Sequence, residues 1–187
     1  LKQGNTCTLW LVPVDKRLLV VKRYNIKGLA HRAGRAWRRT RAAVSWENAH
    51  RLDMYGIPTA RPVALLERRC GPLRGRAWYV SEYLGDADVT QLCNGQAAPD
   101  AGVQATAQQV VDLLAWLAEC RISHGDMKGT NIILTQQGPA IIDLDAMREH
   151  ACGWMFRRLQ QRDLRRFMHN WDACPEVAAL FTQLMRN

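Results

Sequence analysis

With 187 residues, 48% of them hydrophobic, the chain can bury a core as one domain or as two small lobes. Its 26 basic against 17 acidic residues leave a formal charge of +9, which admits phosphate-rich ligands, anionic membrane surfaces and nucleic acid as partners and selects none of them. No apolar run approaches the roughly 18–20 residues that cross a bilayer, no signal peptide is recognised, and a start at Leu1 instead of Met makes a preceding piece expected. Cys7, Cys70, Cys93, Cys120, Cys152 and Cys174 form no C-x-x-C pair and have no neighbouring His pattern, so reduced thiols of a cytoplasmic protein are expected, with neither a zinc site nor a disulfide framework.

In chain order, residues 6–24 read as two strands around a Pro-Val-Asp-Lys turn. From Gly28 to Tyr55, apolar Trp37, Val44, Ala49 and Leu52 among many arginines predict one long basic helix, with a break near Gly34 allowed and Gly56-Ile57-Pro58 as its stop. "RPVALLERR" and "RAWYVSEYL" predict a second strand pair across a Cys-Gly-Pro turn, and polar, Ala- and Gly-rich residues 85–99 a connector. A helix beginning at Pro99-Asp100 carries Val103, Ala107, Val110, Val111, Leu114, Leu117 and Ala118 at helical spacing. "NIILT" and "PAIID" predict a hairpin through Gln-Gln-Gly, and residues 154–185 a helical tail broken at Cys174-Pro175.

The stretch His124-Gly-Asp126-Met-Lys128-Gly-Thr-Asn131 falls in a loop after a buried helix, and Asp143 ends the hairpin that follows. Phosphoryl transfer asks little covalent work of a protein. It needs a carboxylate to orient or deprotonate the attacking hydroxyl, a cation on the moving group, and oxygen ligands for Mg²⁺. Asp126, Lys128, and Asn131 with Asp143 supply these in turn, and Mg²⁺ takes only one or two protein carboxylates. Singly, each has a plainer reading: Asp126 and Asn131 as turn formers, Asp143 as a strand cap.

H-x-D-x-K-x-x-N followed by an acid resembles the catalytic and metal-binding segments of the protein-kinase-like superfamily. The resemblance implies a strand lysine and a helix glutamate upstream, and "LLVVK" ends on Lys22 while "SWENAHRL" carries Glu47. It implies that Lys22 holds the α- and β-phosphates of ATP and Glu47 holds Lys22. "WYVSEYLG" resembles the adenine hinge, with Glu82 and Leu84 offering backbone groups. His124 is implied to pack and bond the loop without moving protons. The implied fold is a two-lobed α+β kinase fold: residues 1–84 a small sheet lobe with one helix, residues 85–187 a mainly helical lobe, and nucleotide between them. No G-x-G-x-x-G loop is present, so the phosphate loop and first strand are expected ahead of Leu1, or the loop is of another kind.

Only about ten residues separate Asp143 from the helix near Trp154, with no A-P-E triplet, which leaves no room for the activation segment on which protein kinases dock a peptide. "HGD", "IDLD", the run from Glu47 to Pro58 and "RDLRRF" at 162–167 resemble the lipopolysaccharide kinase (Kdo/WaaP) family. That resemblance implies ATP- and Mg²⁺-dependent phosphorylation of an inner-core sugar, heptose or Kdo, by a cytoplasmic enzyme working at the cytoplasmic face of the inner membrane. Asp163 either braces the catalytic loop or is a surface acid. A small atypical Ser/Thr protein kinase, an aminoglycoside-type phosphotransferase and a non-catalytic pseudokinase are the alternatives. The basic run with Arg35, Trp37, Arg38, Arg39 and Arg41 reads either as a solvated helix face or as a docking surface for acidic core sugars or an anionic leaflet. Nucleic acid is disfavoured because no recognised binding module accompanies the charge.

Overall fold

The computed structural model describes residues 2–3, 7–24, 39–71, 73–93 and 99–186. The chain forms two compact units. They do not follow a single cut after residue 84: Tyr55–Thr59 belong to the second unit, and Asp143–Ala146 return to the first.

The first unit is built on an antiparallel sheet of order β1-β2-β3-β5-β4, with β1 Lys2–Gln3, β2 Cys7–Val14, β3 Arg17–Tyr24, β4 Pro62–Cys70 and β5 Leu73–Glu82. Both expected strand pairs are present. Beyond them, Lys2–Gln3 adds a short strand against β2. Helix α1, Arg41–Met54, is capped by Thr40, whose hydroxyl accepts the Ala43 N–H at 3.1 Å. Residues 25–38, and with them Arg35, Trp37 and Arg38, lie outside the described residues. The inward stripe of α1 is Ala42, Ser45, Asn48, Ala49 and Leu52. Asn48 Nδ2 donates to the Leu144 carbonyl at 2.8 Å and so ties the 3-10 turn Leu144–Ala146 to this helix.

In the second unit α2, Ala101–Glu119, begins where expected: the Asp100 carboxylate accepts the Val103 N–H at 2.8 Å. Ala107, Val110, Leu113, Leu114 and Leu117 are its buried residues. Strand β6, Ile122–Ser123, pairs with β9, Arg148–Glu149, and β7, Ile132–Thr135, forms the expected hairpin with β8, Gly138–Ile141. Helix α3, Gly153–Met168, and helix α4, Pro175–Leu184, are separated at Cys174-Pro175, with Pro175 in the first turn of α4 where its missing N–H costs nothing. Phe167, Trp171 and Phe181 are fully buried and pack with ring centroids 4.9–5.5 Å apart.

Two features of this unit were not foreseen. Cys93, in a 3-10 turn at Val89–Cys93, is disulfide-bonded to Cys174 at the start of α4, where reduced thiols had been expected. The two lie 81 residues apart, so no local spacing betrays the pair. The same turn presses on the loop at Gly129, where a Cβ would stand 2.6 Å from Thr90 Cγ2 and would force that side chain aside.

Truncating Phe181 to Ala empties the centre of the aromatic cluster. We expect a loss of about 3–5 kcal/mol, read as a lower denaturant midpoint at unchanged m-value.

Candidate active site

Each unit holds one cluster of charged groups. In the first, Lys22 projects from β3 and is 9% exposed. Its Nζ pairs with Asp143 Oδ1 and lies 3.6 Å from Asp145 Oδ2, and Arg41 Nη2 meets the same Asp145 oxygen at 2.6 Å. Both cations sit 5.1 Å from the centroid of the Tyr24 ring, whose hydroxyl is held by Ser45 Oγ at 2.9 Å. Burial alone would lower the Lys22 pKa, but the fields of Tyr24, Asp143 and Asp145 outweigh it and hold the ammonium above its ordinary value. Burial pushes the Tyr79 hydroxyl, on the strand beside Lys22, up to about 12. Asp143 has φ +64°, in the left-handed region uncommon for a residue with a side chain.

Glu47 is not the partner of Lys22. It pairs with Arg39 Nη2 at 2.6 Å on the half-exposed flank of α1, because helical spacing puts it about 100° round from the inward-facing Asn48. Arg39 and Arg41, expected on a docking surface, are both engaged in ion pairs inside their own unit. At the expected hinge the Glu82 N–H donates to Arg61 O at 2.9 Å and its carboxylate meets Arg17 at 3.1 Å. Leu84 opens the run of the second unit that follows β5.

In the second unit, Asp126 stands between two cations: Lys128 Nζ lies 2.8 Å from Oδ2 and Arg166 Nη2 2.8 Å from Oδ1. Oδ1 is buried, and Arg166 makes an ion pair with it without an aligned hydrogen bond. The backbone is fixed around this carboxylate. Asn131 Nδ2 donates to Asp126 O at 2.8 Å, Asn131 N to Lys128 O at 2.9 Å, and Ile142 N to Asn131 O at 2.9 Å. His124, 1% exposed, donates from Nε2 to Ile142 O at 2.9 Å, the structural role expected of it. Asp163 on α3 accepts the His124 N–H at 2.7 Å and the Gly125 N–H at 3.0 and 3.1 Å, so it braces the loop and is no surface acid. Asp145 was seen within "IDLD" without a role, and Arg166 was missed by the sequence reading. Arg166 lies within the "RDLRRF" run, three residues after Asp163 and so on nearly the same helix face.

Among the described residues no group of three or more His, Cys, Asp or Glu side chains is arranged to hold a metal. A Mg²⁺ site of the kinase kind does not require one: the Asn131 amide, whose nitrogen end is spent on Asp126 O, and the Asp143 carboxylate of the first unit are each hard oxygen donors of the type Mg²⁺ takes.

Two outcomes test this geometry. Asp163→Ala leaves the buried His124 N–H and the part-buried Gly125 N–H without their acceptor and is expected to cost about 1–3 kcal/mol in total, measured by chemical denaturation. For Lys22, a folded-state pKa above the ordinary 10.5 means its stabilisation is complete below that value and fades as the pH climbs towards the folded one. The stability gap between wild type and Lys22→Met should therefore be flat from neutral pH to about pH 10 and shrink only beyond.

The chain matches the family described as the lipopolysaccharide kinase (Kdo/WaaP) family over residues 6–186. No curated protein sequence matches it. Among solved structures it is similar to "WaaP in complex with acyl carrier protein", at 18% identity and a TM-score of 0.72, over 100% of this chain and 77% of that one.

Proposed function

Since the chain belongs to the lipopolysaccharide kinase (Kdo/WaaP) family, we propose that it transfers the γ-phosphoryl group of ATP to a hydroxyl of an inner-core sugar, heptose or Kdo. The observation that carries this reading is Asp126, with one oxygen anchored by Arg166 and the other facing Lys128. In this reaction the sugar oxygen bonds to the γ-phosphorus, the bond to the bridging oxygen of ADP breaks, and the hydroxyl proton passes to the Asp126 carboxylate. Lys128 leaves Asp126 to balance charge on the moving phosphoryl group. Mg²⁺, when bound, would be held by Asn131 and Asp143 and would neutralise phosphate charge.

Lys22 would exchange Asp143 for the α- and β-phosphates. The face of the sheet that carries Lys22 also carries Leu11, Leu18 and Val20, the two leucines 49% and 37% exposed, which gives a purine ring an apolar platform. The Glu82 carbonyl and the backbone of Leu84 are its polar partners. Glu47, bound to Arg39, acts on the nucleotide only through the shape of α1. A sugar acceptor is favoured over a peptide because residues 144–152 hold only a 3-10 turn and a two-residue strand before α3 begins. No helix among the described residues is long and apolar enough to cross a membrane. Work at the cytoplasmic face of the inner membrane, held there by its substrate, is part of the same proposal.

Asp126→Asn keeps the size of the side chain and removes the basic carboxylate. It is expected to bind Mg-ATP as wild type does while transfer to a heptose- or Kdo-bearing core falls by roughly 10²–10⁴-fold. Undiminished transfer by this variant, or robust protein phosphorylation by a wild type inert on every sugar, would defeat the reading.

A further inference from the structure

Helix α3 presents a one-sided distribution of charge. Its buried residues are Phe156, Asp163 and Phe167, and Asp163 is its sole acid. The opposite side is exposed and carries Arg158, Arg162 and Arg165, with Trp154, 61% exposed, at its N-terminal end. At about 100° per residue these four side chains lie within one quarter of the helix circumference, and at about 1.5 Å per residue they form a strip about 16 Å long. Arg158 and Arg162 have no hydrogen bond or ion pair with any described residue. Arg165 bonds only the carbonyl one turn back, Gln161 O, at 3.2 Å. The next residue, Arg166, turns off the strip to Asp126 Oδ1 and still leaves 41% of its side chain exposed. A continuous cationic strip therefore ends on the carboxylate assigned to phosphoryl transfer.

Resting on the phosphoryl-transfer reading, we propose that this face of α3 docks an anionic saccharide acceptor, with Arg158, Arg162 and Arg165 on its phosphate or carboxylate groups and Trp154 stacked on a sugar ring. Charge complementarity supplies the attraction. Unneutralised guanidiniums are weakly hydrated, forked donors suited to phosphate and carboxylate oxygens. A flat aromatic face at the far end adds apolar contact for the ring carbons. The direction of the strip sets what docks there: an occupant lying along it has one end beside Asp126, as an acceptor must and a planar lipid surface need not. Arg166, adjacent to the last residue of the strip, is then a positioning residue, holding Oδ1 so that Oδ2 faces the incoming hydroxyl.

The test uses the full chain and a triple variant, Arg158→Glu, Arg162→Glu and Arg165→Glu, with delipidated, phosphate-bearing inner-core oligosaccharide as the probe. Calorimetric Kd and steady-state KM for this saccharide are expected to rise about tenfold or more. kcat and the KM for ATP should stay close to wild type, and the salt dependence of binding should flatten. Trp154→Ala, at a side chain too exposed to hold the fold, is expected to raise the same KM several-fold, and it decides the matter if the triple variant does not fold. A folded triple variant with unchanged Kd and KM overturns the proposal, as does a wild type that fails to bind the saccharide. Loss of binding to phosphatidylglycerol vesicles with saccharide affinity intact also overturns it, and assigns the face to the membrane surface. A wild type that binds the saccharide and loses it on charge reversal, yet transfers no phosphate, upholds the docking surface and rejects the kinase reading.

Discussion

The buried carboxylate of Asp163 is the constraint on which the loop around Asp126 depends. A charge with 6% exposure is tolerated only when hydrogen bonds replace its water, and here the His124 and Gly125 amides do so. In return the carboxylate fixes a turn that needs Gly125 at φ +80°, and this turn sets the position of Asp126. From there the bonding continues through Asn131 to Ile142, so the helix and the hairpin hold the loop from both sides. One helical turn then does two jobs: Asp163 holds the backbone of the loop and Arg166 holds its carboxylate.

The first unit has a comparable economy of charge. Lys22 and Arg41 face Asp143 and Asp145 around the ring of Tyr24, so the buried ammonium, costly alone, is balanced on the spot. Asn48 keeps the acids there by gripping the carbonyl of Leu144, the residue between them. The left-handed backbone of Asp143 fits this picture: a conformation that side chains avoid is retained where the surroundings over-determine it.

Much of the fold was legible. The α2 helix announced itself by Asp100 and a 3.6-residue apolar period, the β7–β8 hairpin by two short apolar runs about a Gln-Gln-Gly turn, and the break between α3 and α4 by Pro175. These signals act within a few residues, where cap, period and proline chemistry operate. The family was equally legible, because the motif that carries Asp126, Lys128, Asn131 and Asp143 can be recognised from its spacing alone. The cap of α1 was not singled out in the sequence, because the Thr40 hydroxyl is one weak signal among many helix-tolerant residues.

The sequence by itself therefore determined the local elements, the identity of the candidate catalytic groups and the family. Tertiary structure alone decided their partners: Lys22 with Asp143 across 121 residues, Glu47 with Arg39 in place of Lys22, Arg166 on Asp126, and Cys93 with Cys174. The reason is physical. Helix caps and periodicity depend on separation along the chain, which a sequence records, whereas ion pairs and disulfides depend on separation in space, and many residues of suitable chemistry compete for each partner until the fold selects one.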